Sequence, residues 1–223
     1  MDIILKNCDC IELLRDMPDK SIDCVVTDPP YGISFRSNAR KEKYDHLTND
    51  DKLGWLVKVM REVKRVMKDD AHAYIFFGVQ KEVEFQSRVS QIFPIKNKLI
   101  WDKGGGGMGD LESDYALSYE QILFISNGER KLNGKRSSNI LKYSRSGNIH
   151  HPTEKPIDLL GFLILKSTSQ EDTVFDPFMG SGSTAIACIR TKRNFIGAEL
   201  DPKHFETAER RVDKEQNQLV LPL

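Results

Sequence analysis

The chain has 223 residues, of which 39% are hydrophobic and 30% are charged, and 33 basic side chains balance 33 acidic ones. This length and composition are typical of a folded protein with one large domain or two small ones, and they exclude a disordered chain. No apolar run approaches the roughly 20 residues of a membrane helix. The first ten residues lack the basic and apolar regions of a secretory signal, so we expect the protein in the cytoplasm of its host cell.

Strands and helices alternate along the first half of the chain, a pattern typical of a sheet with covering helices. Strands are predicted at DIILKN, SIDCVVT, HAYIFFG, KNKLIWDK and SYEQILFISNG. CIELLRDM is predicted to be a helix, and a second helix, with apolar residues recurring from Leu53 to Met67, is predicted to be capped by Asp50 or Asp51. Residues 32–50 and the glycine-rich residues 104–115 are predicted to be loops, and long loops in compact domains are often functional.

The second half begins with a basic segment. Residues 130–145, RKLNGKRSSNILKYSR, contain six basic residues and no acid, and residues 36–43 form a shorter basic run. Such runs are usually solvated loops, but they also fit contact with a nucleic-acid backbone. A helix from Pro156, a strand TVFD, a helix TAIACIRTK and a strand NFIGAEL follow, and Asp201 with Pro202 is predicted to begin the last helix.

The sequence offers little support for a metal site. The cysteines are Cys8, Cys10, Cys24 and Cys188, and no second close pair completes a four-ligand zinc site. The pair His150 and His151 has no completing ligands either. We therefore expect reduced, structural thiols and no metal.

The stretch TDPPYG, residues 27–32, directly follows a buried strand. Prolines cannot donate a ladder hydrogen bond, so one interpretation is a turn that ends the strand. The alternative is a rigid platform that holds Asp28 and Tyr31 against a ligand.

Residues 173–199 read as a strand, a glycine-rich turn, a helix and a strand that ends in an acid. Gly180 and Gly182 allow a tight turn and the close approach of a ligand to the helix N-terminus. A phosphate-binding loop would need a lysine after Gly182, and a dinucleotide fold would need glycine at position 185. Asp176 can instead face an ammonium or sulfonium, and Glu199 lies where a nucleoside-binding unit places its ribose acceptor. A cationic nucleoside such as S-adenosylmethionine fits best.

Four acids lie at the carboxyl ends of predicted strands: Asp9, Asp28, Asp176 and Glu199. Ligands of open α/β sheets bind at that edge, so we expect the four to line one crevice.

Together these segments resemble the beta-type DNA amino-methyltransferases, in which D-P-P-Y precedes F-x-G-x-G. The matching segments cover about residues 1–212 and are, in order, NCDCIELL, TDPPYG, WDKGGGGMG, HPTEKP, DPFMGSGST and GAELDP. The resemblance implies a single methyltransferase domain over 1–223, with a doubly wound, mostly parallel seven-stranded sheet and an antiparallel edge hairpin. It also implies a circular permutation, with the chain starting at the strand that leads to Asp9.

The resemblance further implies methyl transfer from S-adenosylmethionine to the exocyclic amine of a base flipped out of double-stranded DNA. Asp28 and the carbonyl of Pro29 would accept the two amine hydrogens, Pro30 would fix the backbone, and Tyr31 would stack on the base. Asp9 would lie near the cofactor's adenine, Glu199 at the ribose, and Thr153, Lys155 and Pro156 would close the methionine side. The full cofactor set would be Asp9, Thr153, Lys155, Pro156, Asp176, Phe178, Gly180, Gly182, Thr184 and Glu199.

Target recognition has little chain available to it, because only residues 128–150 separate the last sheet strand from HPTEKP. We expect DNA to face that segment together with the loops 32–50 and 104–115. The candidate contacts are Arg36, Arg40, Lys41, Arg130, Lys131, Lys135, Arg136, Lys142 and Arg145. A homodimer that shares the recognition, and a restriction endonuclease as a partner, are further expectations.

Asp28 favours adenine N6 as the acceptor, because serine is commoner at that position in the cytosine-N4 enzymes of this resemblance. Cytosine N4 is the alternative. Methylation at cytosine carbon 5 is excluded because no cysteine follows a proline. RNA or a protein amide is a weaker candidate, since asparagine then usually replaces Asp28. A catalytically idle, cofactor-holding DNA-binding subunit is disfavoured by the intact DPPY.

Overall fold

The computed structural model describes residues 1–30, 53–105, 112–113, 115–145 and 154–220. The strands are β1 Ile3–Asn7, β2 Ile22–Thr27, β3 Met67–Phe77, β4 Ile95–Asp102, β5 Tyr119–Asn127, β6 Ile140–Lys142, β7 Thr173–Asp176 and β8 Asn194–Glu199. The helices are α1 Cys10–Asp16, α2 Gly54–Val66, α3 Glu82–Ser90, α4 Ile157–Ser167, α5 Ser183–Thr191 and α6 Pro202–Val220, and a short 3₁₀ turn, Val79–Lys81, precedes α3.

The eight strands in these residues form one sheet in the order β1-β8-β7-β2-β3-β5-β4-β6. Every neighbouring pair is parallel except the two that involve β5, which is antiparallel to β3 and to β4. The predicted α/β fold with a mostly parallel sheet is therefore confirmed. The predicted count of seven strands is one too few, and the antiparallel hairpin does not lie at the edge, because β6 pairs with the outer side of β4.

Helices cover both faces of the sheet, which explains why the central strands are buried along most of their length. On β3, Ala73, Ile75 and Phe77 pack toward α1, α2 and α3, whereas Tyr74 and Phe76 pack toward α4, α5 and α6. All six residues of β2 are buried, as expected for a strand covered on both sides. Among the described residues no helix has the length and hydropathy that a membrane crossing requires.

Two helix caps test the sequence predictions. Asp201 caps α6, because its Oδ1 accepts hydrogen bonds from the backbone amides of Lys203 at 2.8 Å and His204 at 3.3 Å. The cap predicted for α2 at Asp50 or Asp51 is wrong, since the N-cap position is Leu53 and α2 begins at Gly54. The side chain of Leu53 is 1% exposed, so core packing fixes this helix start.

The parallel strands β1, β2, β3, β7 and β8 end at one edge of the sheet, which we call the carboxyl edge, and begin at the opposite amino edge. The chain leaves β7 through α5 on one face and leaves β2 toward α2 on the other. The switch point of the sheet, where α/β proteins bind their ligands, therefore lies between β7 and β2.

Candidate functional site

The four acids predicted to share a crevice all lie at the carboxyl edge. Asp9 follows β1 and Asp28 follows β2, while Asp176 and Glu199 are the last residues of β7 and β8. Because β7 lies between β8 and β2, Asp176 has Glu199 on one side and Asp28 on the other. The prediction that these acids lie at one edge is confirmed.

Asp176 is buried, with 4% of its surface exposed. Its carboxylate accepts hydrogen bonds from Thr27 Oγ1 at 2.9 Å, Thr184 Oγ1 at 2.8 Å and the amide of Phe178 at 3.1 Å. Burial raises the pKa of Asp176 to about 7, although the three hydrogen bonds act in the opposite direction and the charge of Asp28 adds to the rise. A cation brought to this carboxylate would favour its ionised form.

The glycine-rich turn after β7 uses its two predicted glycines differently. Gly182 has a φ of +82° and is the N-cap of α5, and a Cβ there would lie 3.0 Å from the Cβ of Ala208 on α6. Gly180 has a φ of +53°, and a Cβ there would meet no atom within 4 Å. Gly182 is thus required by packing, whereas Gly180 faces space that a ligand could occupy.

Two of the predicted cofactor acids are held by backbone amides. Glu199 accepts from the amide of Gly180 at 3.0 Å and from that of Asp201 at 2.8 Å, which ties the end of β8 to the glycine turn. Asp9 accepts from the amide of Ile11 at 2.9 Å and caps α1. Both carboxylates are therefore fixed in orientation at the carboxyl edge.

Phe178, also predicted in the cofactor pocket, packs edge-to-face on Trp55 with ring centroids 5.7 Å apart. Trp55 belongs to the first turn of α2, which follows the undescribed residues 31–52. This contact brings the start of α2 to the glycine turn, and the sequence pattern of α2 did not indicate it.

Lys155 makes an ion pair that the sequence did not indicate. Its Nζ donates to Oδ2 of Asp28 and lies 3.2 Å from Oε2 of Glu120, with the ring of Phe76 centred 5.3 Å away. Lys103 Nζ donates to the other oxygen of Glu120 at 2.6 Å. Asp28, Lys155, Glu120 and Lys103 therefore alternate in charge, and we call this set the charge chain.

The pKa shifts in the charge chain follow from its pairing. Burial acts to lower the pKa of Lys155, but the charges of Asp28 and Glu120 outweigh it and raise the pKa above its usual value. Burial acts to raise the pKa of Glu120, but Lys155 and Lys103 together hold it below the usual value. Both groups are therefore kept charged by their partners.

The short segment before α4 is anchored by a second buried ion pair. Arg211 on α6 donates to Oε1 of Glu154, and the two side chains are 11% and 4% exposed. Arg211 also donates to the carbonyl of Ser181 at 2.7 Å. Pro156 follows as the N-cap of α4. The segment that carries Lys155 is thereby tied to the glycine turn and to α6.

The predicted DNA-contact residues divide between the two edges of the sheet. Because β5 is antiparallel, it ends at the amino edge, and the basic segment begins there. Arg130 donates to Asp172 at 2.8 Å, directly before β7, and its side chain is 23% exposed. The side chain of Arg130 therefore forms an ion pair at the edge opposite Asp28, and its predicted contact with DNA stays a prediction.

The rest of the basic segment runs from the amino edge to the carboxyl edge. Exposed side chains at the amino edge are Lys131, Lys135 and Arg136, and the carbonyl of Lys135 accepts from Lys166 at the end of α4. These three residues therefore lie at the edge opposite Asp28, and their predicted contact with DNA stays a prediction. The strand β6 then brings Lys142 level with Asp102, and Arg145 donates to the carbonyl of Gly105 at 3.1 Å. Lys142 and Arg145 are exposed at the carboxyl edge.

Several predicted residues lie outside the described part of the chain: Tyr31, Arg36, Arg40, Lys41, His150, His151 and Thr153. Most of the loops 32–50 and 104–115 lies outside it as well. Within the described ranges, no group of three or more His, Cys, Asp or Glu side chains could hold a metal ion. The four cysteines are all described and form no disulfide.

The chain is similar to known proteins over most of its length. Residues 22–210 match a family model described as DNA methylase. YubD of Escherichia coli (strain K12), a methylase by name, is 30% identical over 205 residues, which cover 92% of this chain and 87% of YubD. YhdJ of the same strain, named a DNA adenine methyltransferase, is 27% identical over an alignment of 243 residues, gaps included, that covers 92% of this chain and 81% of YhdJ.

Solved structures share the fold. The structure of M1.HpyAVI in complex with SAM superimposes with a TM-score of 0.72 at 23% identity, over 94% of this chain and 99% of that one. The PvuII DNA methyltransferase, described as cytosine-N4-specific, gives a TM-score of 0.76 at 17% identity, over 98% and 93% of the two chains.

Proposed function

Because the chain belongs to the DNA methylase family, we propose that it transfers a methyl group from S-adenosylmethionine to the N6 amine of an adenine in double-stranded DNA. The observation that carries this proposal is the position of Asp28 beside Asp176 at the switch point of the sheet. Aspartate at position 28 and the likeness to YhdJ support adenine. Cytosine N4 is the second candidate, supported by the fold shared with the PvuII enzyme.

The residues of the carboxyl edge fit a cationic nucleoside. Asp176 is a buried carboxylate whose pKa of about 7 leaves it ready to ionise beside a cation. Glu199 is oriented by two amides, as an acceptor for ribose hydroxyls must be, and the space at Gly180 admits a ligand against the backbone. When bound, S-adenosylmethionine supplies the methyl group on a positively charged sulfur.

Asp28 and Pro29 supply the groups that an exocyclic amine needs. The lone pair of such an amine is delocalised into the base, so the amine is a poor nucleophile. If the carboxylate of Asp28 and the carbonyl of Pro29 each accept one N–H, the lone pair is localised toward the methyl group. The two prolines fix the backbone that carries both acceptors.

Charge develops at the amine as the new N–C bond forms and the bond between the methyl carbon and the sulfur breaks, which leaves the sulfur neutral. The amine becomes cationic, and the carboxylate of Asp28 stabilises that charge in a partly buried site. One proton then leaves the nitrogen for Asp28 or for water, which restores a neutral methylamine. Tyr31 is proposed to stack on the flipped base.

The function is tested by incubating the protein with methyl-labelled S-adenosylmethionine and unmethylated duplex DNA, followed by digestion to nucleosides. We expect the label in N6-methyldeoxyadenosine. Label in N4-methyldeoxycytidine would select the second candidate, and label confined to RNA or protein would reject both. Asp28→Ala should abolish transfer while S-adenosylmethionine still binds.

The arrangement of basic residues supports DNA at the carboxyl edge. We propose that Lys142 and Arg145 contact the phosphate backbone there, and that Lys131 and Lys135 do not contact the same duplex. Arg36, Arg40 and Lys41 are retained as proposed contacts on the strength of their sequence position after Asp28.

A matched pair of double variants tests this division. Each removes two exposed positive charges: Lys142→Ala with Arg145→Ala at the carboxyl edge, and Lys131→Ala with Lys135→Ala at the amino edge. The first should weaken duplex binding and reduce the slope of log K against log salt by about 2, as expected for two phosphate contacts. The second should leave both quantities near the wild-type values, and the reverse pattern would contradict the proposed DNA-facing edge.

A further inference from the structure

The charge chain gives Lys155 a partner that its place in the sequence did not suggest. The resemblance implied that Lys155 closes the methionine side of the cofactor pocket. In the structure its ammonium group instead donates to Oδ2 of Asp28, and its side chain is 8% exposed. Lys155 is therefore a buried cation in direct contact with Asp28, the carboxylate that is proposed to activate the amine.

The charged groups that pack around Asp28 come from four different elements. Asp176 ends β7, Lys155 precedes α4, Glu120 lies near the start of β5, and Lys103 follows β4. Without Lys155, the carboxylate of Asp28 would lose a cationic partner, while Lys103 would still donate to Glu120. The ion pair therefore helps to fix the orientation of the carboxylate that the amine requires as an acceptor.

Glu120 reduces a repulsion that Lys155 alone would cause at the amine. An ammonium group beside Asp28 would also repel the positive charge that develops on the amine. Because Lys155 lies between Asp28 and Glu120, the second carboxylate offsets the charge of the ammonium group. Lys103 in turn holds Glu120 at 2.6 Å.

We propose that Lys155 is a positioning residue for methyl transfer: its ammonium group holds the carboxylate of Asp28 in place, while Glu120, itself held by Lys103, holds the ammonium group. This inference rests on the proposed function, because it assigns Lys155 to the step at Asp28. It differs from a cofactor-binding role, which would change affinity for S-adenosylmethionine rather than the rate of transfer.

The test measures single-turnover methyl transfer to duplex DNA with saturating S-adenosylmethionine, and it measures cofactor affinity separately. Lys155→Met should lower the transfer rate by roughly tenfold or more, the loss expected for one charge-assisted hydrogen bond. Cofactor Kd should stay within about threefold of wild type, since uniform binding is not affected. Lys155→Arg should restore part of the rate, because it keeps the charge.

Two further variants separate positioning from structural damage. Glu120→Gln removes the second carboxylate that holds the ammonium group of Lys155, so the transfer rate should fall while the cofactor Kd stays near the wild-type value. Lys98→Met is the control, because Lys98 forms its ion pair with Glu82 outside the charge chain, and its transfer rate should stay near the wild-type value.

The outcomes separate this inference from the proposed function. If wild-type protein labels DNA and Lys155→Met transfers methyl at the wild-type rate, the inference is wrong and the function stands. A large loss of cofactor affinity with an unchanged transfer rate would return Lys155 to the cofactor pocket. If Lys155→Met does not fold, the transfer rates and cofactor affinities of Glu120→Gln and Lys155→Arg decide the question. Absence of any DNA label from wild-type protein would reject the function itself.

Discussion

Asp176 gives the most quantitative prediction for the cofactor site. Its pKa of about 7 means that about half of the ligand-free protein carries an ionised Asp176 at pH 7 and only about 3% does so at pH 5.5. If a bound cation requires the ionised form, the apparent affinity for S-adenosylmethionine should rise roughly 15-fold between these two pH values. The ligand's own α-amino group stays largely charged in this window, because its pKa is near 7.7 to 8.0.

The assay is isothermal titration calorimetry in buffers that differ in ionisation enthalpy, which counts the protons released on binding. Wild-type protein should release nearly one proton at pH 5.5 and about half a proton at pH 7. Asp176→Asn should bind more weakly and should release none. Equal proton release in both proteins, or a wild-type affinity that is flat from pH 5.5 to pH 7, would show that Asp176 does not face the cation.

The raised pKa of Asp176 also determines how the free energy of unfolding changes with pH. The pKa of Asp176 is raised above its unfolded value of 3.8, so the folded protein binds the extra proton. Without ligand, the free energy of unfolding should therefore fall as pH rises from about 4 to about 7 and level off above that. The full decrease from this one group is of order 4 kcal/mol, and S-adenosylmethionine should offset it.

Three further predictions concern the frame of the site. Gly182→Ala should lower the free energy of unfolding, measured by denaturant titration, by about 2 kcal/mol or more. Gly180→Ala should lower it by only about 1 kcal/mol and should instead weaken S-adenosylmethionine binding. A larger loss of stability in Gly180→Ala than in Gly182→Ala would contradict the assigned roles. Glu154→Gln should lower the free energy of unfolding by about 3 kcal/mol, and less when combined with Arg211→Met, because the double variant leaves no uncompensated buried charge. A double-variant loss equal to the sum of the two single-variant losses would mean that the pair is not coupled. A thiol reagent should modify Cys8 first in the native protein, since the other cysteines are buried. The rate of Cys8 modification should rise only at high pH, because burial raises the pKa of the Cys8 thiol. Simultaneous reaction of all four cysteines would indicate unfolding.

The sequence predicts the parallel part of this fold well. Apolar runs such as Ile22–Thr27 are buried on both faces, and each acid after such a run marks the carboxyl end of a strand. Asp28 and Asp176 could therefore be placed at one edge without coordinates. Their position at this edge does not depend on the order of the strands in the sheet, because all parallel strands end on the same side.

The remainder depends on contacts between segments far apart in sequence. The strand β6 has three residues with only Leu141 buried, which is too short for a strand periodicity to be read. The sequence pattern does not indicate Glu120 or Lys103, because the acids of this edge follow parallel strands, whereas Glu120 lies near the start of an antiparallel strand. Arg130 lies in a basic run of the sequence, but its partner Asp172 lies 42 residues later, where no local pattern indicates the ion pair.

The reversed direction of β5 separates two loops that the chain can lengthen independently. The connection from β4 to β5 begins and ends at the carboxyl edge, so residues inserted there accumulate next to Asp28. Residues inserted after Asn127 lie first at the amino edge, away from Asp28, and the chain then returns to the carboxyl edge through β6. A change in the first loop would therefore alter what the protein can hold against its target base, whereas the second could grow or shrink while the carboxylates of the site keep their positions.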